Sequence, residues 1–289
     1  MGTLGEYLTS PFVIRAGIAL ILIALNSGIA GSFAAFRNST FLVAGASHAA
    51  LGGAAAIILL HSAGLWLGVD PMIGGAVTAV LLALLAGHAS YGGRSGDVDT
   101  MIGVGFAFSM SVAVLLISLI PESATRVWAI LLGDLLLVTW SDLAIMAVAT
   151  AVIAVFFLAF RREFLFITFD MDGAKAFGIH AQEHNLLMFG LIGLSVAMLL
   201  KGIGAILVFA MMVAPAATSM LVAGSVRRVI TGAALIALAS GALGVIVSYF
   251  VHVSASALTA FFAAACYLVV RGSIELSTRR RIRVPGTRC

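Results

Sequence analysis

The chain has 289 residues, of which 62% are hydrophobic and 10% charged, and a net charge of +4. Soluble domains carry about 25% charged residues, so a soluble fold of this composition would have too little polar surface to cover it. Two cysteines, Cys266 in an apolar run and Cys289 at the last position, give no disulfide or metal–thiolate framework.

Apolar runs fall at about 12–36, 41–61, 65–87, 101–120, 127–160, 186–200, 202–223, 229–250 and 254–270. A membrane-crossing helix needs about 20 apolar residues, and a β-barrel would show short alternating segments instead. The expectation is an all-α integral membrane protein, a polytopic bundle of 8–9 transmembrane helices forming one membrane domain over 1–289. The first run lacks the basic, apolar and cleavage pattern of a signal peptide and is expected to stay in the membrane. The run 127–160 exceeds one crossing and is interrupted by Asp134 and Asp142, which predicts a short packed helix over Trp128–Val138 and a full crossing from about Leu143. Frequent glycine and alanine, as at Gly190, Gly193, Gly241 and Gly244, predict close helix packing.

Within the second run, His48 is the only ionisable side chain between Phe41 and Leu60. An ionisable group inside a span is a functional-site hypothesis by default, and imidazole is a common metal ligand. A structural histidine bonded to a neighbouring carbonyl is the other reading. His61 and His252 lie at span ends expected to face outward, where they can guide a cation inward. His88 sits at the opposite end, where a snorkelling role is simpler. His180 and His184 are four apart, a spacing that can present two imidazoles on one helix face. Asp134 and Asp142 are either proton-path carboxylates or helix caps, and the methionines Met198, Met211, Met212 and Met220 are most simply gap fillers.

Arg37, Arg94, Arg161, Arg162, Lys175, Arg227, Arg228 and the arginine-rich tail over about 271–289 fall on one side of a nine-span chain whose N-terminus is outside. By the positive-inside rule that side, with the C-terminus, is cytoplasmic. In a membrane protein this charge reports orientation rather than nucleic-acid binding. The polar stretch over about 161–184 carries a candidate short helix from Met171 to Phe177, capped by Asp170 and ended by Gly178. Such a helix is a natural handle for a partner protein, with Ala174 and Gly178 on its small-residue face. The two lysines, Lys175 and Lys201, sit in no G-x-x-x-x-G-K-[ST] loop, so any ATP drive must come from another subunit.

Several segments together resemble the permease subunits of zinc- and manganese-type metal-ion ABC importers. They are FLVAGASHAALGG (41–53), Asp99-Thr100 with Ile102-Gly103, LLGDLLLVTWSDL (131–143), FDMDGAKAFGI (169–179) and GAILVFAMMVAPAATSML (204–221). The resemblance runs from about Phe12 to Val270. It implies a homodimer in a bacterial or archaeal plasma membrane, cytoplasmic ATPase subunits, and an extracytoplasmic metal-binding protein. It also implies that Asp170, Ala174 and Gly178 belong to the ATPase-docking segment. No cofactor is bound permanently; the divalent metal is cargo, and the chain is not itself an enzyme. Many members carry Asp four residues before the motif histidine, and here that position is Ala44. Loss of a hard oxygen donor points to zinc over manganese. The rival readings are a proton-coupled secondary transporter using Asp134, Asp142 and His48, and an ABC permease for a metal chelate.

Overall fold

Long runs of Ile, Leu, Val, Ala and Gly can satisfy their backbone in lipid only as helices, and every regular element among the described residues is helical. The structure is a computed structural model and describes residues 4–64, 68–91, 95–119 and 133–282. In chain order the elements are α1 (Leu4–Leu8), α2 (Pro11–Asn26), a π-turn (Ser27–Gly31), α3 (Ser32–Phe36), α4 (Phe41–Ser62), α5 (Pro71–Tyr91) and α6 (Ser95–Ser118). A 3-10 turn (Leu135–Leu137) precedes α7 (Trp140–Ala159), α8 (Arg161–Phe169), α9 (Met171–Ala176), α10 (Ala181–Ile203), α11 (Ala205–Val222), α12 (Val226–Val251) and α13 (Ala255–Ile282).

Eight helical stretches among the described residues are long and apolar enough to cross a bilayer, the first being the continuous Pro11–Phe36; α11 is a shorter apolar helix. Two sets of contacts fix the ends of the bundle. At one end, the Tyr7 hydroxyl lies 3.1 Å from Ser248 Oγ and donates to the Val245 carbonyl. The Leu135 N–H donates to Ser256 Oγ at 2.8 Å, and Gly133 abuts Ile203 and Gly204. At the other end, Arg37 donates to the Ile167 carbonyl, Ser90 and Asn185. Since α10 finishes at the Tyr7 end and α12 begins at the Arg37 end, α11 must carry the chain back. It runs antiparallel to both, beside the eight longer apolar helices of the described residues.

Local signals explain where several helices begin. Ser10 accepts the Val13 N–H, with Pro11 at the first helical position of α2. Thr139 and Asp142 form a capping box at the start of α7. Asp134 accepts the Leu136 N–H and starts the 3-10 turn. The predicted Trp128–Val138 helix lies outside the described residues up to Leu132. Its remainder holds only the 3-10 turn, with Leu135 and Val138 buried.

Small residues set the packing of α4. A Cβ at Gly75 would stand 2.8 Å from the Ala50 carbonyl oxygen, and one at Gly53 would run into the Gly74 carbonyl. The α4 and α5 backbones therefore touch, and Thr78 Oγ1 donates across to the Ala49 carbonyl at 2.7 Å. A Cβ at Gly52 would meet the Ser109 carbonyl of α6 at 3.3 Å.

Candidate metal path and docking segment

His48 stands about a third of the way along α4, half-buried. Its ring meets Phe106 of α6 edge to face, centroids 4.8 Å apart and planes at 88°. Nδ1 is buried and has no hydrogen-bond partner. Among the described residues, no carbonyl engages this nitrogen. Ser47 is different: its hydroxyl back-bonds the Val43 carbonyl at 2.7 Å, a local contact that uses up its donor. Ala44, one turn before His48, is half-buried. Beside this face of α4 runs a cavity of about 440 Å³, lined by Ala49, Gly52, Gly53, Thr78, Phe108 and Ser109 among others.

His61 lies 13 positions further along the same helix, about 20 Å away at 1.5 Å per residue. Its Nε2 is also buried without a partner. His252 is exposed, takes a left-handed conformation at φ 56° after α12, and lines a cavity of about 500 Å³ with Tyr7, Leu136 and Tyr249. His61 and His252 sit at the Tyr7 end and His48 inside the span, so the structure does not bring the three together. No group of three His, Cys, Asp or Glu that could hold a metal exists among the described residues.

The other candidates resolve into structural roles. Asp134 and Asp142 are caps at the Tyr7 end. His180 precedes α10 rather than lying on it, and its carbonyl accepts from or lies against His184 Nδ1 at 2.9 Å. The two imidazoles therefore do not share a helix face, because the helix starts one residue later than that spacing needs.

The candidate docking segment contains a short helix, α9, whose ends follow the sequence signals. Asp170 accepts the Gly173 N–H at 2.8 Å. Gly178 has φ +76°, with Gly178 N–H to the Lys175 carbonyl and Ile179 N–H to the Ala174 carbonyl, a Schellman ending. Two expectations need correction. Gly178 lies beyond the helix, and Ala174 is 0% exposed, turned into the bundle rather than towards a partner. The exposed residues from Asp170 to Gly178 are Asp170, Asp172, Lys175, Ala176, Phe177 and Gly178, with Phe177 80% exposed. Lys175 pairs with Asp172 at 3.0 Å and stands over the Tyr91 ring of α5.

Arg37 ties this segment to the bundle. It donates to the Ile167 carbonyl in the last turn of α8, where a cation favourably meets unpaired carbonyls. Desolvation by burial lowers its pKa from the ordinary arginine value. Asn185, which also accepts from Arg37, donates to the Gly87 carbonyl of α5 at 2.7 Å.

Asn26 is a site that motif reading does not reach. Its amide lies deep in the first span, 2% exposed. Nδ2 donates to the Leu22 carbonyl and to Thr150 Oγ1 on α7, and Oδ1 accepts from Ser195 Oγ on α10. The available signal was a carboxamide inside an apolar run, which in lipid needs partners.

Residues 9–272 match the ABC 3 transport family. The manganese transport system membrane protein MntC of Listeria monocytogenes is 29% identical over 259 residues, 89% of either chain. The manganese import system permease protein ScaB of Streptococcus gordonii is 29% identical over 262 residues, 89% of this chain and 90% of the relative. Among solved structures, PsaBC from Streptococcus pneumoniae in complex with Fab matches at a TM-score of 0.77 and 27% identity, covering 92% of this chain and 93% of that one.

Proposed function

The chain belongs to the ABC 3 transport family, and on that premise we propose that it is the membrane permease of an ATP-driven importer of a divalent transition-metal ion. ATP hydrolysis belongs to a separate subunit, in keeping with the missing phosphate-binding loop. The observation that carries the metal reading is His48, a half-buried imidazole inside the span with a bare ring nitrogen, in a chain whose relatives are named for manganese transport. Asp134 and Asp142 are engaged as caps, which removes the carboxylates that a proton-coupled carrier would use.

The Arg37 end faces the cytoplasm in this reading. Arg161, Arg162, Lys175, Arg227 and Arg228 lie there, while Arg15 is at the opposite end. Two copies of the chain form the permease, one membrane domain each, with His48 on the path between them. His61 and His252 are outer waypoints for ions delivered by an extracytoplasmic binding protein. The ATPase docks on α9 and its flanks, between about 161 and 184, with Asp170 and Gly178 shaping the helix. The open residue Phe177 takes the contact role first given to Ala174. Phe177→Glu should lower ATPase co-purification severalfold with the permease still folded. An unchanged complex would remove this docking surface.

Two metals remain in contention. The relatives' names favour manganese. The side chains favour zinc, since Ala44 supplies no hard oxygen beside the imidazole. Reconstituted permease, ATPase and binding protein should accumulate zinc or manganese in vesicles only with ATP. ATP-independent uptake abolished by a proton uncoupler would refute the importer assignment, and competition between the two ions would rank them.

A further inference from the structure

We propose that the π-turn Ser27–Gly31 is a hinge in the first span, separating a half fixed to the bundle from a half carried by the docking segment. The proposal rests on the ATP-driven importer reading for its driving force. A π-turn is one extra residue in the α-helical ladder, an arrangement frequent at functional sites. Here it divides a 26-residue crossing into two parts held by different chemistry.

On the Tyr7 side the holding is directional. Asn26, the residue before the turn, is bonded at 2.7 Å to both Thr150 on α7 and Ser195 on α10. Neither contact can slide without breaking. On the Arg37 side the holding is by aromatic rings, one cation and the packing of Ala35 against Ala216 of α11 and Ala233 of α12. Phe33 lies 6.3 Å from Phe164, and Phe36 lies 5.8 Å from Phe169, centroid to centroid, both partners on α8. Arg37, which directly follows α3, donates to the Ile167 carbonyl. The same guanidinium donates to Ser90 and Asn185, so α3 is linked to α8 and to the adjoining ends of α5 and α10, and α8 leads directly into α9. Phe157, in the last turn of α7, touches both Phe33 and Phe164. Its contacts are dispersive, as are those of Phe33 and Phe36 with α8, so the directional bonds on this side come from Arg37.

The turn meets its neighbours through glycine. A Cβ at Gly28 would stand 2.8 Å from the Ile230 carbonyl oxygen of α12, and one at Gly31 would run into the Met212 carbonyl of α11. Backbone therefore meets backbone there, with the Ala234 methyl beside Gly28. The hydroxyls of Ser27 and Ser32, one at the start of the turn and one just past it, are fully buried and have no partner. A serine in regular α-helix can back-bond the carbonyl four residues earlier. Gly28, four residues before Ser32, lies inside the turn, so the turn leaves the Ser32 hydroxyl unsatisfied where a straightened helix can satisfy it, as expected of an element with two arrangements.

The test uses the complete complex with its ATPase, in a background carrying Cys266→Ser and Cys289→Ser. Spin labels at Ile21→Cys in α2 and Arg162→Cys in α8, both exposed positions, report the distance across the turn. It should change by several ångström between the nucleotide-free and vanadate-trapped states. Deleting Ile29 removes the extra residue while keeping the helical register on either side. The distance change should vanish, and uptake per ATP hydrolysed should fall about tenfold, within the range of known coupling energies. Phe36→Ala, at a half-buried position, loosens α3 from α8 and should lower the same ratio severalfold even if the deletion variant does not fold. An identical distance in the two states of an actively transporting complex overturns the hinge. So does a change that persists in the deletion variant, or an unaltered uptake-to-ATP ratio in Phe36→Ala. A complex with no ATP-dependent metal uptake would instead refute the function on which the hinge rests.

Discussion

Asn26 in the first span and His48 in the second are both polar groups inside hydrocarbon, and their surroundings are opposite. The Asn26 amide is 2% exposed, donates twice and accepts once, with partners on its own helix, on α7 and on α10. The His48 ring is half-buried, with a ring edge against Phe106 and a bare Nδ1. A polar group with every site filled holds helices together. One with an empty site beside a small-residue face is free for a passing ligand. Neither role follows from residue type; it follows from who the neighbours are.

Substitution should separate the two sharply. His48→Ala removes a candidate ligand nitrogen, and metal uptake should fall at least about tenfold, by analogy with losses at groups that support metal ligands. Thermal unfolding in detergent should stay close to that of the parent, since no hydrogen bond is lost. Normal uptake at normal protein levels would make His48 structural and erase the contrast. Asn26→Leu should do the reverse first. It strands Thr150 and Ser195, and a buried unsatisfied group costs about 1–3 kcal/mol, visible as a lower melting temperature. Thr150→Val removes one partner only and should cost about 0.6 kcal/mol, the average for such bonds in a membrane bundle. Equal melting temperatures for Asn26→Leu and the parent would mean that the network contributes nothing.

The same contrast explains what the sequence made legible. Spans are readable because twenty apolar residues in lipid have one backbone solution, and the ends of α9 are readable because Asp170 and Gly178 act on their own neighbours. His48 stands out as a lone ionisable group. By contrast, the Asn26 network joins residues 124 and 169 positions apart, which no local pattern announces. The π-turn is tertiary in the same way: its glycines matter because α11 and α12 pass close by. Ala174 was misread because a small residue suits a docking face and a buried face equally well, and only packing chooses. The interior helix α11 illustrates the same limit at span scale. Its 18 residues look marginal alone, and only the directions of α10 and α12 show that it runs back along the bundle.

The finest test concerns Ala44, one turn before His48 on the same face of α4. Ala44→Asp places a hard carboxylate oxygen beside the imidazole nitrogen, and hard oxygen donors favour manganese while zinc accepts nitrogen readily. The ratio of manganese to zinc uptake, measured by competition in the reconstituted complex, should rise severalfold. The carboxylate also carries a desolvation cost at a half-buried site, so total uptake can fall while the ratio rises; the ratio is the informative quantity. His48→Asp should push preference in the same direction, though less cleanly, because it exchanges the nitrogen for the oxygen. The decisive comparison is Ala44→Asp with His48→Ala. If the two positions meet one ion together, the gain from the carboxylate depends on the imidazole and shrinks in the double variant, a non-additivity expected of side chains sharing a partner. A ratio that rises equally with and without His48 would place the ion on residue 44 alone. A ratio that does not move in any folded variant would mean this face of α4 never touches the metal. His48 would then be a bare imidazole without a ligand, and the contrast with Asn26 would be one of packing only.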